Sequence, residues 1–406
     1  MRLQEFGNQY KSSYNYTPIL AGLIEVCYKR EITKLKELAE SLDVSVPYAH
    51  YLVKKLVKEA FFKIWAIPHY DKLKLRALRC FLFVKSIAHR KLLLDVLSRH
   101  DFLVCTAPYY GSTGKGIWCD FLVPDGKGGD FVSFLESLLS YGIIDNYTIH
   151  PIIALKNIVM GFEWYNFSTN TWHFNWQSLL KDLFSKIDFY DGRAHFYEYE
   201  PEYSTLDVMF DFYDLYILHH LEQDVFTSIS SLAPKLGTSP QNLSYHYRNH
   251  VLKNRLIRAT RPYWYPFLFE ESSFYIADIK FNSHRALDCF LASLHRKPIA
   301  YSYIPYRQAT HPSVMLSGIL PYDEVFNFMN FLDTLKDHGI VEDYNYYVLN
   351  KYWFSAKLLP YYRYNETLGW CFELETYLGE ILKAAKKVQR SETKPTRATD
   401  NRTESM

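Results

Sequence analysis

Residues 227–262 carry six basic side chains, Lys235, Arg248, Lys253, Arg255, Arg258 and Arg261, and neither Asp nor Glu. A compact acid-free segment of this kind is the electrostatic footprint that a phosphate backbone requires. Gln241, Asn242, Ser244, Tyr245 and Asn249 are interleaved with these cations. Asn and Gln can pair bidentately with adenine and Arg with guanine, so on a helix laid in the major groove these side chains would read base edges. A second set, Pro47, Tyr48, His50, Tyr51, Lys54 and Lys55, follows Ser45 near the start of the chain as Gln241 follows Ser239. Lys63, Lys72, Lys74, Arg258 and Arg261 are expected on or after the wings that follow each helix, as contacts to phosphate.

Other chemistry finds less support. His246 and His250 stand at the i, i+4 spacing that can hold a metal, but no carboxylate is near in sequence and two ligands do not complete a site, so they read as one inward and one flanking histidine. No phosphate loop, zinc-protease motif or nucleophile elbow occurs, and 111–116 lacks the strand-to-helix context of a phosphate loop. The expectation is a protein that is not an enzyme and holds no cofactor or metal. Cys27, Cys80, Cys105, Cys119, Cys289 and Cys371 show no CxxC spacing and read as reduced core thiols. No apolar run reaches membrane length and the polar start lacks a signal-peptide core, so a cytoplasmic protein is expected. The overall charge of +2 decides nothing, but 186–206 is strongly acidic, as a linker.

The elements that must position these residues occur twice. Phe131, Phe134, Leu135, Leu138, Gly142, Ile143 and Ile144 match Phe328, Phe331, Leu332, Leu335, Gly339, Ile340 and Val341 at one offset of 197. Pro108 and Tyr109 match Pro305 and Tyr306 at the same offset, and Trp172 and Phe174 match Trp370 and Phe372 at 198. The chain therefore reads as a tandem duplication. Each half opens with three helical patterns, 18–28, 34–41 and 45–60 in the first and 211–222, 228–236 and 239–254 in the second. Ser45 and Ser239 cap the third helices, and Asn254 is placed to end the later one. Strands at 62–69 and 256–265 follow. A strand-helix-strand-strand-helix-strand order comes next in both halves, so the fold class is α+β, a winged helix-turn-helix plus a ferredoxin-like βαββαβ unit, repeated. One face of each sheet is left apolar, and the two sheets are expected to cover each other.

A winged helix leading into a βαββαβ unit resembles the leucine-responsive/AsnC, or feast/famine, transcription regulators of bacteria and archaea. The cap and apolar stripe of Ser45 to Ala60, the 64–69 strand, the 79–84 entry and the Gly142-Ile143-Ile144 close carry that resemblance. It implies winged helices at 14–75 and 207–266 and RAM-like sheet domains with C-terminal extensions at 76–185 and 267–385. An acidic linker at 186–206 and a disordered tail at 386–406 complete the division. It further implies double-stranded DNA as partner, dimerisation through the sheets, here as a pseudo-dimer within one chain or as a homodimer, and a small-molecule effector at a Gly-x-x-Asp-type turn of the sheet domains. Gly114-Lys115-Gly116 and Asp120 are loosely spaced like that turn, and His311-Pro312-Ser313 stands there in the second half. The competing expectation is a ligand-sensing or protein-interaction scaffold that has lost DNA binding in one or both winged helices.

Overall fold

A computed structural model of the chain describes residues 14–60, 62–152, 156–189, 208–308 and 311–392. Helices α1 (Pro18–Lys29), α2 (Leu35–Ser41) and α3 (Val46–Glu59) form the first trio. Asp43, at φ 53°, makes the left-handed turn between α2 and α3, and the Ser45 hydroxyl accepts from the Tyr48 amide to cap α3. Then come β1 (Lys63–Pro68), β2 (Leu75–Phe83), α4 (Ile87–Ser98), β3 (Leu103–Gly111), β4 (Gly114–Pro124), α5 (Gly128–Ser140) and β5 (Asn146–Pro151). Short strands β6 (Lys156–Asn157), β7 (Tyr165–Asn166) and β8 (Thr171–Trp172) lead to α6 (Trp176–Asp188). The second trio is α7 (Phe212–Leu221), α8 (Ile229–Leu232) with a following 3₁₀ turn, and α9 (Pro240–Tyr245), which continues as a π-helical turn over His246–Leu252. Gly237, at φ 62°, takes the turn position that Asp43 takes in the first trio. β9 (Ile257–Tyr263), β10 (Ser272–Phe281), α10 (His284–Leu294), β11 (Ser302–Gln308), β12 (His311–Pro321), α11 (Tyr322–Asp337) and β13 (Val341–Leu349) follow, then β14 (Ser355–Ala356), β15 (Tyr364–Asn365), β16 (Gly369–Trp370) and α12 (Leu374–Glu392).

The large strands form one ten-stranded sheet in the order β5-β2-β4-β3-β13-β10-β12-β11-β6, with β14 alongside β3. Numbered within each set of four, both halves run 4-1-3-2, the order that the two-helix βαββαβ pattern builds. They join where Tyr109–Gly111 pairs with Tyr347–Leu349. At the other end, β6 follows shortly after β5 and pairs with β11, so the sheet curls round on itself. Alternate side chains explain the apolar runs. Cys80 and Leu82 face the helices of the first set while Phe81 faces inward, and Tyr275 and Ala277 face the helices of the second set while Ile276 faces inward. The inward set of Phe81, Tyr109, Trp118, Ile276, Met315 and Tyr347 makes a core shared by the two halves, so the sheets do cover each other's open faces. Arg79 lies in this interior at 5% exposure. It holds Asp120 bidentately at 2.8 Å and reaches the Ser317 hydroxyl of the other half at 3.4 Å.

The C-terminal pieces depart from expectation. Leu179, Leu180 and Leu183 of α6 pack into the core of the second set, with Phe281, Leu287 and Phe290. Trp370, Phe372, Tyr377 and Ile381 pack into the core of the first set, with Phe102, Phe134 and Leu138. Each extension, expected to belong to its own half, thus covers the helices of the other half, the open sheet faces being buried against one another. The second helical trio crosses in the same sense, since its Leu215, Leu218, Leu243 and Val251 join the core of the first sheet set, while the first trio packs in a cluster of its own with Met160, Phe162 and Trp264. Neither trio has a wing hairpin of its own among the described residues. β1 and β9 instead pair with each other, Lys63 opposite Tyr263 and Ala66 opposite Thr260. The α12 backbone stays helical to Glu392, past the expected start of a disordered tail at 386, and the remainder of that segment and most of the 186–206 linker lie outside the described residues. Arg255, at φ 50°, rather than Asn254, takes the left-handed position after the second recognition helix. The Asn254 carbonyl is occupied by the Lys72 ammonium at 2.9 Å.

Candidate nucleic-acid interface

The third helix of each trio has one buried face and one polar face. On α3, Ala49, Leu52, Val53 and Leu56 are buried, while Tyr48, His50, Tyr51 and Lys54 are exposed and Lys55 half-buried. Tyr48 and Tyr51 stack with ring centroids 6.0 Å apart, forming a flat aromatic surface beside the two lysines. From Val44 to Lys58 this helix and its cap carry three lysines and no carboxylate. On α9, Ser239 accepts from the Asn242 amide at 3.1 Å, and Leu243 turns inward. Pro240, Gln241, Ser244, Tyr245, Arg248 and Asn249 line one open groove on the outer side of this helix. Gln241, Tyr245, Arg248 and Asn249 are exposed and Ser244 is half-buried. Asn242 is drawn inward, its side-chain amide donating to Thr238 Oγ1 at 3.1 Å, and the Asn249 amide donates to the Tyr245 carbonyl at 3.2 Å. Gln241 and Arg248 therefore present the open polar ends of this surface.

Several residues expected on exposed wings lie instead at the joint between the halves. Lys63 and Arg261 sit on the paired strands β1 and β9, half-buried, and burial lowers the proton affinity of both. Arg261 donates to the Thr260 carbonyl at 3.1 Å, and Arg258 is half-buried on the same strand. Lys72 is committed to the carbonyls that end the second recognition helix. Pairing of β1 with β9 turns these strands into structural elements, so they cannot serve as free wings. Lys253 and Arg255, beyond the helix, remain exposed. The turn expected to take an effector is likewise occupied from within. Asp120 is bound by Arg79, and Gly116 lies so close to the Leu82 carbonyl that it has no room for a side chain.

The sequence reading missed the surroundings of His246 and His250. Asp211 caps α7 and Asp214 sits one turn in, each carboxylate accepting from the other's backbone amide at 3.1 and 3.0 Å. The α7 and α9 helices pack so that His246 Nδ1 lies 3.2 Å from Asp214 and 3.3 Å from Asp211, and His250 Nδ1 lies 3.0 Å from Asp214. Asp214 is fully buried, and burial together with the Asp211 charge raises its pKa. The Asp-x-x-Asp spacing was visible in the sequence as a helix cap, but its pairing with histidines more than thirty residues away depends on how the two helices pack.

No protein-family model and no curated protein matches the sequence. Among solved structures, the chain is similar to the siroheme decarboxylase NirDL, at 10% identity and a TM-score of 0.49 over 91% of this chain and 99% of that one. The same enzyme in complex with an iron-uroporphyrin III analogue matches at 9% identity and a TM-score of 0.49, over 90% and 99% of the two chains. Escherichia coli AsnC matches 35% of this chain and 94% of its own, at 18% identity and a TM-score of 0.25. The expectation that the chain is not an enzyme is corrected on this finding, since the structure paired with nearly its whole length is that of an enzyme. No helix among the described residues is long and apolar enough to cross a membrane.

Proposed function

We propose that the chain binds double-stranded DNA in a sequence-specific way through the outer faces of α3 and α9, as a transcription regulator whose two halves act as a pseudo-dimer. The observation that carries this reading is the open groove of α9, where Gln241, Ser244, Tyr245, Arg248 and Asn249 stand together on a helix free of carboxylates. These side chains can pair with base edges, while Lys253 and Arg255 beyond the helix end supply positive charge for phosphate. α3 offers the same architecture with different chemistry, two stacked tyrosines and lysines in place of amides and arginine. Helices that differ at nearly every outward position would read unlike half-sites, so one chain should prefer an asymmetric operator.

The test is selection of bound duplexes from a random pool by the full chain, followed by anisotropy titrations over a range of salt. An enriched asymmetric motif, with affinity that falls linearly on a log-log salt plot, is expected. Failure to enrich any motif, or affinity indifferent to salt, would refute DNA reading by these helices.

A further inference from the structure

Asp211, Asp214, His246 and His250 turn one ligand atom each toward a common point, all four atoms lying within 4.8 Å of one another. We infer that this cluster is a binding site for a divalent transition-metal ion that clamps α7 to the second recognition helix. Ligand atoms about 2.0 to 2.1 Å from a tetrahedral ion stand roughly 3.3 Å apart. The cross-helix separations of 3.2, 3.3 and 3.0 Å are close to that spacing, those to Asp214 running to its two different oxygens, and the fourth, His250 to Asp211, is 4.0 Å. Closing the fourth edge requires a small movement of His250, which is partly exposed and able to move.

Charge balance points the same way. Two carboxylates converge, one of them without solvent exposure, and their ion pairs are to the two histidines alone among the described residues. Neutral imidazoles would leave two negative charges facing each other in a poorly solvated place, which is costly unless a cation or protons enter. Orientation is already set by groups behind the ligands. The reciprocal backbone hydrogen bonds of the helix cap hold Asp211 Oδ1, leaving its Oδ2 toward the histidines, and fix Asp214 Oδ2, which also faces His250, while Asp214 Oδ1 faces His246. Holding ligands in place is the role that outer-shell partners play in metal sites. The histidines lie on a π-helical turn, a winding seen mostly where a helix carries function. Two imidazoles with two carboxylates suit zinc, manganese or iron better than calcium or magnesium, which prefer oxygen alone.

The decisive experiment uses the full chain stripped with chelator, titrated with Zn²⁺ by calorimetry and with Co²⁺ by visible absorption. One saturable equivalent is expected, with Co²⁺ showing the intense d–d bands of a tetrahedral site and Zn²⁺ raising the melting temperature. His250→Ala, at a partly exposed position, and Asp211→Asn should each weaken binding at least about 100-fold while far-ultraviolet circular dichroism stays that of the parent. Asp214→Asn is less informative because that buried cap also holds α7. Absence of saturable binding up to millimolar ion would overturn the inference. So would equal affinity in the parent and both variants, which would leave the four groups as a hydrogen-bonded cluster sharing protons.

Discussion

Glu222 ends α7 and is 8% exposed, yet no cation accompanies it in its hydrogen-bond set. One carboxylate oxygen accepts from the Leu359 amide at 2.6 Å and the other from the Tyr70 hydroxyl at 3.0 Å. Through these bonds it ties the second trio both to the loop after β1 and to the segment that precedes α12. Burial raises its pKa from 4.5 to about 7, against the lowering effect of the two donors. Between those values the folded chain binds a proton that the unfolded chain has released, so the stability contributed by this group is fully present below about pH 4.5 and is lost as pH rises through 7. A shift of that size corresponds to about 3 kcal/mol of stability lost between the acidic and alkaline limits. Glu222→Gln should remove the dependence, because the amide is neutral at every pH, can accept from Leu359 and can donate to the Tyr70 oxygen. Urea unfolding of parent and variant at pH 5, 6, 7 and 8 isolates the effect, since all other titrating groups cancel in the difference. The variant should gain on the parent steadily as pH rises, by about 2 to 3 kcal/mol between pH 5 and pH 8. A difference that stays level across this range would refute the reasoning from burial.

Arg248→Ala should weaken binding to all duplexes and lower the salt slope by about 1 if it contacts phosphate, or cost about 1 to 3 kcal/mol at a single base position if it reads guanine; anisotropy on the selected motif and its single-base variants separates the two. Gln241→Ala should relax preference at one position with little change in salt slope, and unaltered preference would remove Gln241 as a reader. Asp120→Ala strands the buried Arg79 guanidinium and should cost about 3 to 5 kcal/mol in chemical denaturation. Arg76→Ala, which breaks the exposed pair with Asp125, should cost less than about 1 kcal/mol, and equal costs would contradict the burial argument. Gly116→Ala drives a methyl group into the Leu82 carbonyl across the β2–β4 pairing, so it should lower the melting temperature more than Gly128→Ala, where nothing lies within 4 Å.

Local features of the chain were legible without the fold. The stripe on α3, the Ser45 and Ser239 caps and the Asp43 and Gly237 turns follow from short-range sterics and hydrogen bonds, which act between residues a few positions apart. Strand alternation with both faces apolar likewise announced that each sheet needed two covers. That the sheets would cover each other's open faces was legible, but which extension would cover which set of helices could not be read. Two halves with matching periodicity present near-equivalent faces, so pattern alone does not distinguish an extension that folds back on its own half from one that crosses to the other. The tertiary structure decided that α6 and α12 cross, because the inward faces bury each other and leave only the helical faces to be covered. It also decided that β1 pairs with β9, which withdraws Lys63 and Arg261 from the surface where sequence placed them. The meeting of Asp211 and Asp214 with His246 and His250 belongs to the same class. Spacing along one helix determines which side chains share a face, but the ligands that complete a site are contributed by whichever helix packs opposite, and that choice is made by the hydrophobic burial of Leu215, Leu218, Leu243 and Val251 in a common core.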